Sequence, residues 1–199
     1  MPKLRKMLGR ADMPVCLALM RLLDTQSRRT VAGWAIRITS EVCLPVYEAH
    51  SPEGPDLRVD VQDCARCAAE GGRPAAVKPQ LRALAQIARA EKDPVAQAAA
   101  RAIATACAAL QTPTGALGCL FYAAAAETYH TLGTSQPAAV YDQAAKKFFE
   151  RALADLQDHA VPDEPDPIRV NWNCWGHDSR RRLCYTGWDD GQPRQGRNV

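Results

Sequence analysis

Aromatic side chains are scarce in this chain, with three Phe, five Tyr and four Trp among 199 residues. A core built from large rings is excluded, so aliphatic and small side chains must fill most of it. Charge of one sign is missing too, because 25 Lys and Arg stand against 22 Asp and Glu, a formal net charge of +3. Such a balance produces no broad field of the kind that draws a protein onto nucleic acid or an anionic membrane, and a charged partner has to be met by a local patch. Apolar runs fall short of the roughly 20 residues that a membrane-crossing helix needs. The best of them, residues 13–23, is interrupted by Arg21 and followed by Asp24. There is no glycine-rich phosphate loop and no nucleophile beside a base, so no constellation spells out a reaction.

The basic start Lys3, Arg5, Lys6 and Arg10 is read as an N-terminal arm over residues 1–12. It imitates the charged end of a secretory signal, but Arg21 and the lack of a small-residue cleavage site argue against one, and the expected compartment is the cytoplasm. The eight cysteines are spread along a chain large enough to fold without staples, which fits reduced thiols. Cys107 and Cys119 read as small core residues.

What the chain has in quantity is alanine on helical spacing between residues 61 and 160. A methyl side chain lets two helix axes approach closely, and Ala has the highest helix propensity. Ser27 is a plausible N-cap, followed by Val31, Trp34, Ile38 and Val42 on one stripe, and Pro45 predicts a kink or a helix end. Asp56 or a neighbour caps the next helix, with Leu57, Val61, Cys64 and Ala68 inward and Gly71-Gly72 as its stop. Residues 74–92 form a third, whose start is nearer Pro79 than Pro74. Asp93-Pro94 opens a fourth with Val95, Ala99, Ala102, Ile103, Ala106 and Leu110 inward. A fifth carries Leu117, Phe121, Ala124 and Thr128 and ends near Gly133. Thr134 or Ser135 caps a sixth, with Val140, Ala144, Phe148, Ala152 and Leu156 on one side.

The expectation is therefore all-α: a compact bundle of about six amphipathic Ala-rich helices over residues 13–160, then an irregular Pro- and Trp-containing tail over 161–199. A protein without a catalytic constellation is expected to act by binding.

Several groups have a chemical look. Cys64-x-x-Cys67 has the spacing of a zinc or redox pair, and Cys174 with His177 would complete a tetrahedral set. Against zinc, metal knuckles sit in turns, whereas Cys64 lies on the inward stripe of a helix. His50, His130, His159 and His177 fall near helix ends or in loops, where a solvated or capping imidazole is common. Glu127 with His130, or Glu48 with His50, imitates an acid–base pair. Arg180, Arg181 and Arg182, near Trp175 and Tyr185, would suit a nucleic acid, but the modest net charge speaks for a solvated surface or an acidic protein partner. Trp172, Trp175 and Trp188 lie outside regular pattern, so the tail either packs back across the bundle through these rings or displays them. Tail residues Trp172, Trp175, Arg180, Arg181, Arg182 and Trp188 are the candidates for a protein contact.

The segment Trp34-Ala35 through Leu44-Pro45-Val46-Tyr47-Glu48, the helix from Asp56, and the run Ala100-Arg101-Ala102-Ile103-Ala104-Thr105-Ala106 resemble a bacterial putative immunity-protein family. The likeness spans about residues 28–132. It implies a helical protein that guards a cell against a polymorphic toxin, so that the expected partner is a cognate toxin neutralised by surface occlusion. Where that family often has histidines, this chain has Cys107 and, approximately, Gly115. The competing expectation is a small-molecule- or metal-binding helical protein, possible also as an enzyme, with a pocket between Ala-rich helices.

Overall fold

Helix follows helix from Pro14 to His159 in the computed structural model, which describes residues 4–172. In chain order these are α1 (Pro14–Leu23), α2 (Arg28–His50), α3 (Arg58–Ala69), a 3-10 turn (Pro74–Val77), α4 (Lys78–Ala90), α5 (Pro94–Ala108), α6 (Gly115–Leu132) and α7 (Ala138–His159). Among the described residues there is no strand, only one isolated antiparallel bridge between Ser27 and Pro167.

Helices α2, α5 and α6 pack most extensively on one another. Helices α3 and α4 cover one flank, against α2 and α5, while α7 lies on α6 and carries α1. Alanine explains the centre. On α5, Ala96, Ala99, Ala100, Ala102 and Ala106 are buried, and α6 answers with Ala116 and Ala123 to Ala126. Where α6 starts, a Cβ on Gly115 would stand 2.7 Å from the Thr105 carbonyl oxygen of α5. The alanine density expected of the whole bundle is greatest on these two helices; α1 packs through Leu19 and Leu23, and α2 through Trp34 and Ile36 beside Ala32 and Ala35.

The caps at Ser27 and Asp93 are where the residues predict them. Ser27 accepts from the Thr30 amide, and Asp93 Oδ1 accepts from Val95 and Ala96, each at 2.9 Å. Gly71 and Gly133, after α3 and α6, have φ of +67° and +73°, a conformation Gly adopts without a Cβ penalty.

Several expectations need correction or narrowing. Among the described residues the α-helices number seven, not six, the additional one being α1: Pro14 sets its first φ, and Cys16, Leu19, Met20 and Leu23 form its buried stripe. Of the two outcomes predicted at Pro45, a helix end is excluded, because α2 runs on to His50. The Pro45 ring is exposed, so the Glu41 carbonyl left without a donor faces water, and the cost of breaking the ladder is reduced. The sixth expected helix, α7, starts at Ala138 behind Pro137 with no side-chain cap from Thr134 or Ser135. Phe148, Ala152 and Leu156 of its expected stripe are buried, but at the start of the helix Val140 is exposed and Tyr141 and Ala145 are buried in place of Val140 and Ala144. Tyr141 is held inward at that end by its hydroxyl, which donates to the Gly133 carbonyl and accepts from the Gln136 amide, both at 2.9 Å.

Beyond α7 the chain folds back across the start of α2. The Ile168 amide donates to the Gln26 carbonyl at 2.8 Å, and Gln26 exchanges two hydrogen bonds with the backbone of Val161. Glu164 accepts from the Ser27 amide at 2.7 Å and from the Thr30 hydroxyl at 2.6 Å.

Candidate functional site

Three features of the helical body have the geometry to meet something. The largest is a groove of about 540 Å³ between α2 and α3. Its floor is Ile36, Leu44, Val61, Ala65 and Ala68, and its rims carry Arg29, Arg37, Arg58 and Glu41. Two of those cations are already held: Arg37 pairs with Asp155 at 2.5 Å and with Glu41, and Arg58 pairs with Glu48 at 2.7 Å. Gly33 lies in the same wall with open space where a Cβ would be.

The second lies where α2 and α6 end and α5 begins. His50, the last residue of α2, brings Nε2 to 3.1 Å from His130 Nδ1 in the last turn of α6. One of the two nitrogens carries the proton and the other accepts it. The rings meet edge to face, with centroids 5.3 Å apart. On its other side His50 Nδ1 stands 3.5 Å from Asp93 Oδ1, the oxygen that caps α5. Glu91 ties the same corner together, accepting from Ser51 at 2.7 Å and from the amides of Lys92 and Asp93. Burial alone would raise its carboxyl, but these hydrogen bonds hold it below the ordinary value. The sequence pairs Glu127–His130 and Glu48–His50 are not formed as acid–base partners, because Glu127 is bound by Arg151 and Glu48 by Arg58.

The third is a cleft of about 290 Å³ between the N-terminal arm and the α5–α6 surface, lined by Leu4, Arg5, Lys6, Pro94, Gln97, Ala98, Arg101 and Tyr129. Its Pro94 and Tyr129 are chain neighbours of Asp93 and His130, so it adjoins the histidine corner. The Tyr129 hydroxyl donates to the Arg5 carbonyl at 2.9 Å and fixes the arm there. Among the described residues, three cations and no carboxylate line this cleft.

Cys64 and Cys67 are both buried on α3, not displayed from a turn. Cys107 is buried as well, and hydrogen bonding with Cys64 together with burial pushes its thiol well above the ordinary value. Burial takes the Cys16 and Cys119 thiols up to about 12. Cys16, Cys107 and Cys119 are therefore protonated core thiols at neutral pH. Among the described residues no group of three or more His, Cys, Asp or Glu is arranged to hold a metal ion. Cys174 and His177, the other half of the expected set, lie outside the described residues, as do Trp175, Arg180, Arg181, Arg182 and Trp188.

Trp172 is buried, and its Nε1 donates to both carboxylate oxygens of Asp24 at 3.0 Å. It anchors the returning segment to the end of α1 and offers no free ring to a partner. Trp34 is in the core as its stripe predicts, with Nε1 donating to Asp155 at 2.7 Å. The sequence carries no local signal for the histidine corner or the arm cleft, because each joins residues far apart in the chain. His50 and His130 are 80 positions apart, and only the crossing of α2 and α6 brings them together.

A family model described as "Imm-5 like putative immunity protein" matches residues 21–158, well over half of the chain. No curated protein and no solved structure matches.

Proposed function

The chain belongs to the Imm-5-like immunity-protein family, and from that premise we propose that it binds a protein toxin and neutralises it by covering a working surface. The single observation that carries this reading is the family match over residues 21–158, which takes in α2 to α6 and nearly all of α7. The build of the molecule is in keeping with it. Occlusion needs a face that keeps its shape, and the methyl-packed contact of α5 with α6 is a stiff base for one, since close-packed interiors deform little. Inhibition of that kind asks for complementarity, not for a reacting group.

Co-expression tests the proposal. A toxin encoded beside this chain should arrest growth when expressed alone and should be tolerated when the chain is co-expressed. If growth stays arrested while the protein is folded and abundant, the immunity reading is overturned.

A second reading, a helical protein holding a small ligand, is favoured by the α2–α3 groove, whose volume of about 540 Å³ lies in the range of small-molecule sites. Native mass spectrometry of the purified protein decides it. A stoichiometric mass increment that is lost on denaturation supports the ligand, and a bare polypeptide mass removes it.

A further inference from the structure

We infer that the cleft between the N-terminal arm and α5 is a receptor for a carboxylate side chain carried by the partner protein, with Arg101 as its principal contact. The inference rests on the toxin-binding reading for the identity of the partner, but its chemistry is argued from the cleft alone.

The starting point is a charge without a counter-charge. Arg101 is only partly exposed, on the face of α5 that also carries Asp93 and Gln97 at successive four-residue steps. Among the described residues its guanidinium has no hydrogen-bond or ion-pair partner, and neither has the ammonium of Lys6 across the cleft. Arg5 completes the lining and is the one cation there with a counter-ion, Asp142 at 2.7 Å. Elsewhere several arginines have a carboxylate, Arg37 with Asp155, Arg58 with Glu48, Arg66 with Asp63 and Arg151 with Glu127, and Arg82, Arg89 and Arg169, which have none among the described residues, are exposed to water where Arg101 is half-buried in a cleft. A partly desolvated guanidinium gives up hydration and, left unpaired, recovers nothing for it. An anion entering the cleft would restore that balance.

The lining also selects the kind of anion. A phosphate site is usually cradled by backbone amides. Here Pro94 has no amide hydrogen, and the amides of Val95 and Ala96 are already taken by Asp93. What remains is the planar fork of Arg101, which matches a carboxylate in two parallel bonds, with Lys6 as a point charge opposite. The other walls are apolar: Leu4, Pro94, Ala98 and the ring of Tyr129. They suit the methylene stem of a glutamate and its apolar neighbours. A free inorganic anion could not use them.

The test uses the full chain and a defined probe, an acetylated and amidated tetrapeptide of two glutamates flanked by leucines, with its glutamine twin as control. Binding is followed by NMR of the Arg101 side-chain Nε–H and of the amides of residues 4–6 and 94–101. The glutamate peptide should shift these signals in a saturable, salt-sensitive way, and the twin should not. Arg101→Gln should weaken binding at least tenfold, while Arg101→Lys should recover part of it, because it keeps the charge and loses the fork. Lys6→Gln, on the exposed arm, gives a milder loss and guards against a folding artefact at Arg101.

Equal shifts from both peptides, or none at millimolar concentration, would overturn the inference. So would inorganic phosphate or glutarate binding as tightly as the peptide, since the cleft would then serve a free small anion. In cells, Arg101→Glu should abolish protection by a folded protein. Protection that survives this change removes the cleft from the interface, whereas a wild-type chain that never protects removes the immunity reading and leaves the peptide result standing.

Discussion

Gly33 and Gly115 show how far single positions in this chain differ in what surrounds them. Gly33 lies inside α2 with nothing within 4 Å of a would-be Cβ. Replacing it with Ala should stabilise the protein by about 0.5–1 kcal/mol through backbone entropy alone. At Gly115 the same methyl would sit 2.7 Å from the Thr105 carbonyl oxygen. There the overpacking cost of about 1–3 kcal/mol should exceed any gain in helix propensity. Thermal unfolding of the two variants should therefore show Tm moving in opposite directions; a rise at both positions would contradict the close α5–α6 approach. Residue-level features carried by local chemistry were legible in advance, as at Ser27 and Asp93, whose carboxyl or hydroxyl oxygens meet nearby amides. Features made by distant residues were not. Nothing near His50 in the chain announces His130, and nothing near Lys6 announces Arg101.

At the scale of elements, periodicity located α2 to α6 and their buried stripes, because amphipathic spacing is the same physics as burial. It fell short where something other than hydrophobicity set the local arrangement. The Tyr141 hydroxyl holds Tyr141 inward in place of Val140 at the start of α7, and α2 passes through Pro45, whose ring is exposed. The prolines predict irregular chain after α7, and of the two fates open to it the segment over 161–172 takes the one that packs back, fastened by polar contacts to Gln26, Ser27 and Thr30 as well as by Trp172. Glu164 is the centre of that attachment. Burial alone would raise its carboxyl, but hydrogen bonds from Thr30 and Ser27, with Arg29 nearby, hold it below its ordinary 4.5. A depressed folded-state value means stability that is complete above the unfolded value and lost as pH falls through the folded one. Glu164→Gln should thus cost on the order of 1 kcal/mol at pH 7 after solvent screening. The gap in Tm between wild type and variant should close as the pH is lowered beneath 4.5. A gap that persists unchanged in acid would show that the carboxylate is not what holds the segment.

For the whole molecule, the all-helical class was legible because small side chains at helical spacing leave few other ways to bury a core. The place of contact with a partner was not, since a binding face is a property of assembled surface and carries no motif. The arm cleft is built from the N-terminal arm, the first turns of α5 and the end of α6, and it exists only once these have packed. The central claim is that the exterior of this bundle works by occupying a toxin, one molecule for one. Titrating purified chain into a fixed amount of the toxin encoded beside it, and following the toxin's activity, tests that most directly. Occlusion predicts a linear fall to zero at one equivalent, at once and without further change on waiting. Neutralisation by a small fraction of an equivalent, deepening with time, would mean that the chain turns over and that the account is wrong.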